Sequence, residues 1–167
     1  MNTTQSNSNP TQTNSLRILA VDGGGVRGII PARILKEIET RTGKQISELF
    51  NAGAGTSTGG LVVLGLSVPN SGGVAEHKAQ DLIDLYLNDS NKIFSTSILK
   101  KITTGFGLWG AKYSRDNLDQ ITSEMFGNLR LSQTLYPTYI PVYSIDADEP
   151  HILSSKAAVE DVNNDFY

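Results

Sequence analysis

Gly55-Thr56-Ser57-Thr58-Gly59 sets a serine between two glycines, after the small-residue run Asn51 to Ala54 and before the apolar run Leu61 to Val68. As chemistry this reads as a nucleophile elbow: a buried strand ends, the chain turns sharply, and the serine stands in strained geometry at the start of a helix. Gly55 and Gly59 suit such a turn because a side chain there would collide with the neighbouring strand or helix. The Ser57 hydroxyl would then be exposed beside a helix N-terminus, where developing negative charge is favoured. With 16 glycines and 16 serines in 167 residues, chance alone supplies about 0.14 such matches. The motif therefore needs support from elsewhere in the chain.

That support is Asp22-Gly23-Gly24-Gly25-Val26-Arg27-Gly28, which follows the strand-like run Leu16 to Val21. From Ile29 to Thr42, Ile30, Ile34, Leu35 and Ile38 fall at helical spacing, Pro31 suits the first turn, and Gly43 suits the position just past the end. The glycines thus form a strand-to-helix loop whose backbone N–H groups can converge on an anion. A dinucleotide loop is one reading, since Gly23-x-Gly25-x-x-Gly28 satisfies the bare pattern. It requires an acid about 20 residues on, where this chain has Arg41, Thr42, Gly43 and Lys44. A Walker-type phosphate loop requires Gly-Lys-Ser/Thr, and Gly28 is followed by Ile29 and Ile30. The third reading is an oxyanion hole serving Ser57, in which two N–H groups aimed at one point stabilise a tetrahedral intermediate.

Val21-Asp22-Gly23-Gly24-Gly25-Val26-Arg27-Gly28-Ile29-Ile30-Pro31 followed by Gly55-Thr56-Ser57-Thr58-Gly59-Gly60 resembles the patatin-like phospholipases. Softer likenesses follow in Lys112-Tyr113-Ser114, Gly127, Leu131 to Leu135, Ile140 to Tyr143 and Ile152 to Ser155. The resemblance implies a three-layer α/β/α fold with a largely parallel sheet. It also implies a Ser–Asp dyad that hydrolyses the acyl esters of phospholipids or related lipids (phospholipase A or lysophospholipase type), without metal or cofactor. Gly23, Gly24 and Gly25 would then form the oxyanion hole, and Gly24→Ala would be expected to distort it.

One departure bears on activity. The family's aspartate lies in a second Asp-Gly-Gly/Ala motif downstream of the serine, whereas Asp22 is the only aspartate here that precedes a glycine. Asp146, Asp148, Asp161 and Asp165 precede Ala, Glu, Val and Phe. The expectation is therefore the N-terminal half of a catalytic domain, incomplete at its C-terminus. Such a chain is either inactive alone or one half of a split enzyme with a partner chain. Among substitute bases, His77 reads as an exposed first-turn residue and His151 as a strand-edge residue. Asp146 and Asp148 precede His151 but share its short segment and could not brace it from a separate strand. Asp22 reads as a residue that hydrogen-bonds the loop backbone. Unassisted, Ser57 is a weak nucleophile.

Two further side chains have double readings. Arg27, beside the glycine loop, suits a phosphate headgroup, or else caps the sheet edge or pairs with a carboxylate. Trp109, in Gly105 to Gly110, suits a loop dipping into a lipid interface, or else packs over the core.

The elements that must carry these groups read as one α/β domain over residues 16–167, preceded by a polar tail, Met1 to Ser15, too poor in apolar residues to fold. Ala75 to Leu87 reads as a helix with Leu82, Ile83, Tyr86 and Leu87 on one face. Ser114 caps a helix Arg115 to Phe126 ended by Gly127, with Leu118, Ile121 and Met125 on its face. Thr138 to Ile145 and His151 to Ser154 read as strands, and Asn70 to Gly73 and Lys101 to Gly110 as loops. A net charge of −3 leaves no nucleic-acid footprint and no strong pull toward anionic membranes, and the absence of cysteine excludes disulfides and thiolate metal sites. Neither a secretory signal nor a bilayer-length apolar run is legible, so the expected location is cytoplasmic or peripheral to a membrane, with transient surface contact.

Overall fold

The computed structural model of the chain describes residues 15–93, 119, 122–161, 163 and 165. The N-terminal tail up to Asn14, the loop carrying Trp109, the Lys112-Tyr113-Ser114 segment and the face residues Leu118 and Ile121 lie outside the described residues.

The β-branched run before the glycine loop forms β1 (Ile18–Val21), and the small-residue run before Ser57 forms β2 (Ala52–Gly55). They pair in parallel with Ile18 level with Ala52 and Val21 level with Gly55. β3 (Thr138–Ser144) adds in parallel on the far side of β2, and β4 (Glu149–Ser154) folds back antiparallel on β3. Among the described residues the strand order is β1-β2-β3-β4, with β1 at one edge and β4 at the other.

Between the strands run α1 (Ile29–Thr42), a single turn α2 (Ile46–Leu49), α3 (Thr58–Gly65) and α4 (Ala79–Ile93); α5 (Ser155–Glu160) follows β4. α1 stops where its sequence says it should, with Gly43 in the left-handed region at φ 67° and its amide on the Glu39 carbonyl. Glu39 also joins three elements, one carboxylate oxygen accepting from the Ile46 amide and the other from the Ala79 amide. A carboxylate in front of two helix N-termini is favoured by both dipoles.

Because β1, β2 and β3 succeed one another in one direction, right-handed crossovers put their helices on one face of the sheet. That face carries Leu19 and Val21, which pack into a core with Ala32 and Leu35 of α1, Val62 and Val63 of α3, and Leu82, Ile83 and Tyr86 of α4. Gly53 shares it, with Val63 and Tyr136 lying over its α-carbon. Tyr136 is sealed beneath α3, its hydroxyl donating to the Val63 carbonyl at 2.9 Å, and burial pushes its pKa well above the ordinary tyrosine value. By register the other face holds Ile18, Ala20, Ala54, Tyr139, Pro141, Tyr143 and Ile152. It is open, with Ile18, Tyr143 and Ile152 exposed by 56 %, 58 % and 57 %. The α/β architecture and mostly parallel sheet are as anticipated, and α1, α3 and α4 form one of the two helical layers that a three-layer arrangement has.

Some local expectations are corrected. Ile30 and Ile34 are more than half exposed, because α1 meets the core through the Ala32–Leu35 row and these two side chains sit round the helix from it. Leu87 is likewise outside the buried face of α4. α4 begins at Ala79 rather than Ala75: Ala75 bridges Pro69 across a turn in which Asn70 Oδ1 accepts from the Gly72 and Val74 amides. The start is instead set by Asp81, whose carboxylate takes the Lys78 amide.

Candidate active site

Ser57 joins the end of β2 to α3 with φ 51° and ψ −128°, a left-handed conformation that costs a non-glycine residue of order 1–3 kcal/mol. It survives because its surroundings are tight. A Cβ on Gly55 would run into the Gly59 carbonyl, and one on Gly59 into the Val21 carbonyl. The Thr56 amide donates to that same Val21 oxygen at 3.3 Å. The elbow is thus clamped between its own glycines and the end of β1. Ser57 is exposed, and its hydroxyl has no hydrogen-bond partner among the described residues.

Parallel pairing of β1 and β2 brings the glycine loop and the elbow to the same carboxyl edge of the sheet. A Cβ built on Gly23 would lie 2.6 Å from the Ser57 Cβ, so the loop passes directly against the serine. The Gly23 amide donates to Thr56 Oγ1 at 2.9 Å and the Gly24 amide to Thr58 Oγ1 at 3.2 Å. Gly25, at φ 59°, opens a 3₁₀ turn through Gly28. The amides of Gly25 and Thr58 have no partner among the described residues. Gly28 is buried under Tyr86, whose hydroxyl would meet any Cβ there. A methyl on Gly24 comes no closer than 3.5 Å to another side chain, the Arg27 Cβ. Steric contact with the elbow is therefore tight at Gly23 and ordinary at Gly24.

The other candidates separate. Asp22 is exposed beside the loop but does not hydrogen-bond its backbone as anticipated, because the threonine hydroxyls take those amides. Asp146 and Asp148 sit in the turn between β3 and β4. Ala54 is level with Tyr139, so β3 overruns the end of β2 by roughly 13 Å before that turn. There Asp148 accepts from the Tyr143 hydroxyl at 2.7 Å. His151 stands on edge strand β4 opposite Val142. His77 is half-buried rather than solvated, and its Nε2 lies 3.1 Å from the Met125 carbonyl. Arg27 folds back so that its Nε is 3.7 Å from a Cβ position on Gly24, and no carboxylate pairs with it among the described residues.

Sequence reasoning passed over Thr56, Thr58 and Tyr86. The available signal was a hydroxyl on each side of the serine, facing three consecutive glycine amides that need acceptors. Tyr86 is buried, its hydroxyl bonds the Thr58 side chain, and burial outweighs that bond in raising its pKa.

The first two strand–loop–helix units of a mostly parallel sheet bring a strained serine and a glycine loop to one edge, which places the chain among α/β proteins. The chain belongs to the patatin-like phospholipase family, whose model matches residues 19–165. It is 39 % identical to Patatin-like protein 2 of Arabidopsis thaliana over 157 residues, covering 87 % of this chain and 38 % of that one. It is 36 % identical to Patatin-like protein 4 of the same plant over 164 residues, covering 94 % and 41 %. Probable inactive patatin-3-Kuras 1 of Solanum tuberosum is 33 % identical over 144 residues, covering 82 % and 37 %. The chain thus spans about two-fifths of the length of these relatives. Among the described residues no helix is long and apolar enough to cross a membrane.

Proposed function

We propose that this chain carries the nucleophile and oxyanion half of a lipid acyl hydrolase of the phospholipase A or lysophospholipase type. The observation that carries the reading is Ser57 itself: exposed, strained at φ 51°, and backed by Gly23 of a glycine loop. In the proposed chemistry Ser57 Oγ attacks the ester carbonyl, and the carbonyl oxygen becomes an oxyanion. The amides of Gly25 and Thr58, without a partner among the described residues, receive it, one from the loop and one from the start of α3, whose dipole adds to the effect. Gly23 and Gly24 give the loop its close approach, Gly28 seats it on Tyr86, and Gly55 and Gly59 hold the elbow. Arg27, which no carboxylate pairs with among the described residues, is available to a phosphate headgroup at the loop.

Deprotonation of Ser57 requires a base that the described residues do not bring to its hydroxyl. This favours the second reading beside the first: a chain that is inactive alone, or one that works only with a further polypeptide carrying the carboxylate. The potato relative described as probable inactive keeps that reading in view.

Labelling with a fluorophosphonate, which reports on nucleophile and oxyanion hole together, tests the proposal. Slow stoichiometric labelling of Ser57, abolished in Ser57→Ala, is the expected result, with little turnover of short-chain acyl esters. Labelling or turnover that survives Ser57→Ala would overturn it.

A further inference from the structure

We propose that Thr56 and Thr58 are positioning residues, whose hydroxyls hold the glycine loop in the register that leaves the Gly25 amide open to the substrate. The proposal rests on the reading of Ser57 as nucleophile and the loop as its oxyanion hole, and adds what fixes the loop.

Three consecutive glycines have no Cβ to restrict them, so an unsupported Gly23-Gly24-Gly25 segment would sample many orientations of its amides. Within the loop the Arg27 amide donates to the Gly24 carbonyl at 3.2 Å, at the start of the 3₁₀ turn over Gly25–Gly28. The other two anchors come from across the sheet. Thr56 Oγ1 accepts the Gly23 amide and Thr58 Oγ1 the Gly24 amide, over sequence separations of 33 and 34 residues. The two acceptors flank the nucleophile, so the loop is referenced to the same turn that orients Ser57. Both threonines are β-branched, which limits the rotamers their hydroxyls can take. Thr58 is further enclosed, at 6 % exposure, with the equally buried Tyr86 against it. Of the three amides, Gly25 alone lacks an acceptor among the described residues. An oxyanion donor must be aligned before the charge develops. Spending the first two amides on hydroxyls beside the nucleophile achieves that alignment for the third.

The test uses the whole 167-residue chain as wild type, Thr58→Val, Thr58→Ser and Thr56→Val. Valine keeps the shape and removes the hydroxyl, whereas serine keeps the hydroxyl and removes the methyl. Two quantities are read: hydrogen exchange of the peptide spanning residues 22–28, and the rate of fluorophosphonate labelling at Ser57. The expected result for each valine variant is loop exchange faster by about tenfold and labelling slower by about tenfold, without a matching fall in melting temperature. Thr58→Ser should restore both. Loop exchange unchanged in both valine variants would overturn the proposal, as would failure of Thr58→Ser to rescue, which would assign the effect to packing. Should Thr58→Val not fold, Thr56→Val, at an exposed position, decides the matter alone. If wild type takes no label, the catalytic reading fails while the exchange measurement still tests the clamp.

Discussion

The α-carbon of Gly23 lies against the side chain of Ser57, so that a methyl group there would stand 2.6 Å from the Ser57 Cβ and equally close to the Thr56 carbonyl oxygen. Two residues 34 positions apart are therefore parts of one surface, and no side chain can be added at Gly23 without moving the loop or the elbow.

This contact orders the effects of glycine substitutions. Gly23→Ala should slow fluorophosphonate labelling of Ser57 by about tenfold or more, because the loop or the elbow must shift by a sizeable fraction of an ångström. Gly24→Ala should have the smaller effect, since space beside it is ordinary van der Waals contact. Labelling rates of the two variants measured side by side would check this, and the reverse order would contradict the geometry.

Gly59→Ala is expected to act on folding rather than on the site alone. Its methyl would enter the Val21 carbonyl, which also accepts the Thr56 amide. Backbone on both sides leaves little room to give, and a loss of about 3 kcal/mol or more is expected. Denaturant unfolding monitored by circular dichroism measures it.

Alkaline pH should destabilise the fold through Tyr136. Burial raises its folded pKa above the ordinary value of 10.0, so the native state keeps a proton that the unfolded chain releases. The associated stability is fully present below pH 10 and is lost as pH rises above it, by about 1.4 kcal/mol per pH unit for one such group. Tyr86 is shifted in the same direction and adds to the slope. Tyr136→Phe should flatten the pH dependence above pH 10, at the cost of about 1 kcal/mol at neutral pH from the lost bond to Val63.

The open face of the sheet carries a prediction about association. Among the described residues β1 and β4 are the two edges of the sheet, and apolar surface is exposed at Ile18 on β1, Ile152 on β4 and Tyr143 on the neighbouring β3. Sedimentation velocity at concentrations on the order of 100 µM should show self-association, reduced in Ile152→Lys. A monomer that melts in one sharp transition and stays unassociated would contradict this.

What could be known from the sequence alone was local. Gly55-x-Ser57-x-Gly59 and the triple glycine encode tight turns through the absence of side chains, and the apolar periods before and after them encode strand and helix. Those signals sufficed for the bounds of α1, for its Gly43 stop, and for the pairing of β1 with β2. The tertiary structure decided what depends on register and on which face meets the core. Ile30, Ile34 and Leu87 are as apolar as the residues that are buried, and only the packing of α1 and α4 on the sheet distinguishes them. The acceptors of the Gly23 and Gly24 amides could not be assigned from spacing, because a hydrogen bond across 33 or 34 residues exists only once Val21 is level with Gly55. Nor does composition reveal that successive right-handed crossovers place α1, α3 and α4 on one face, leaving Ile18, Tyr143 and Ile152 on the other. Handedness belongs to the path of the chain, and the path is set by strand order.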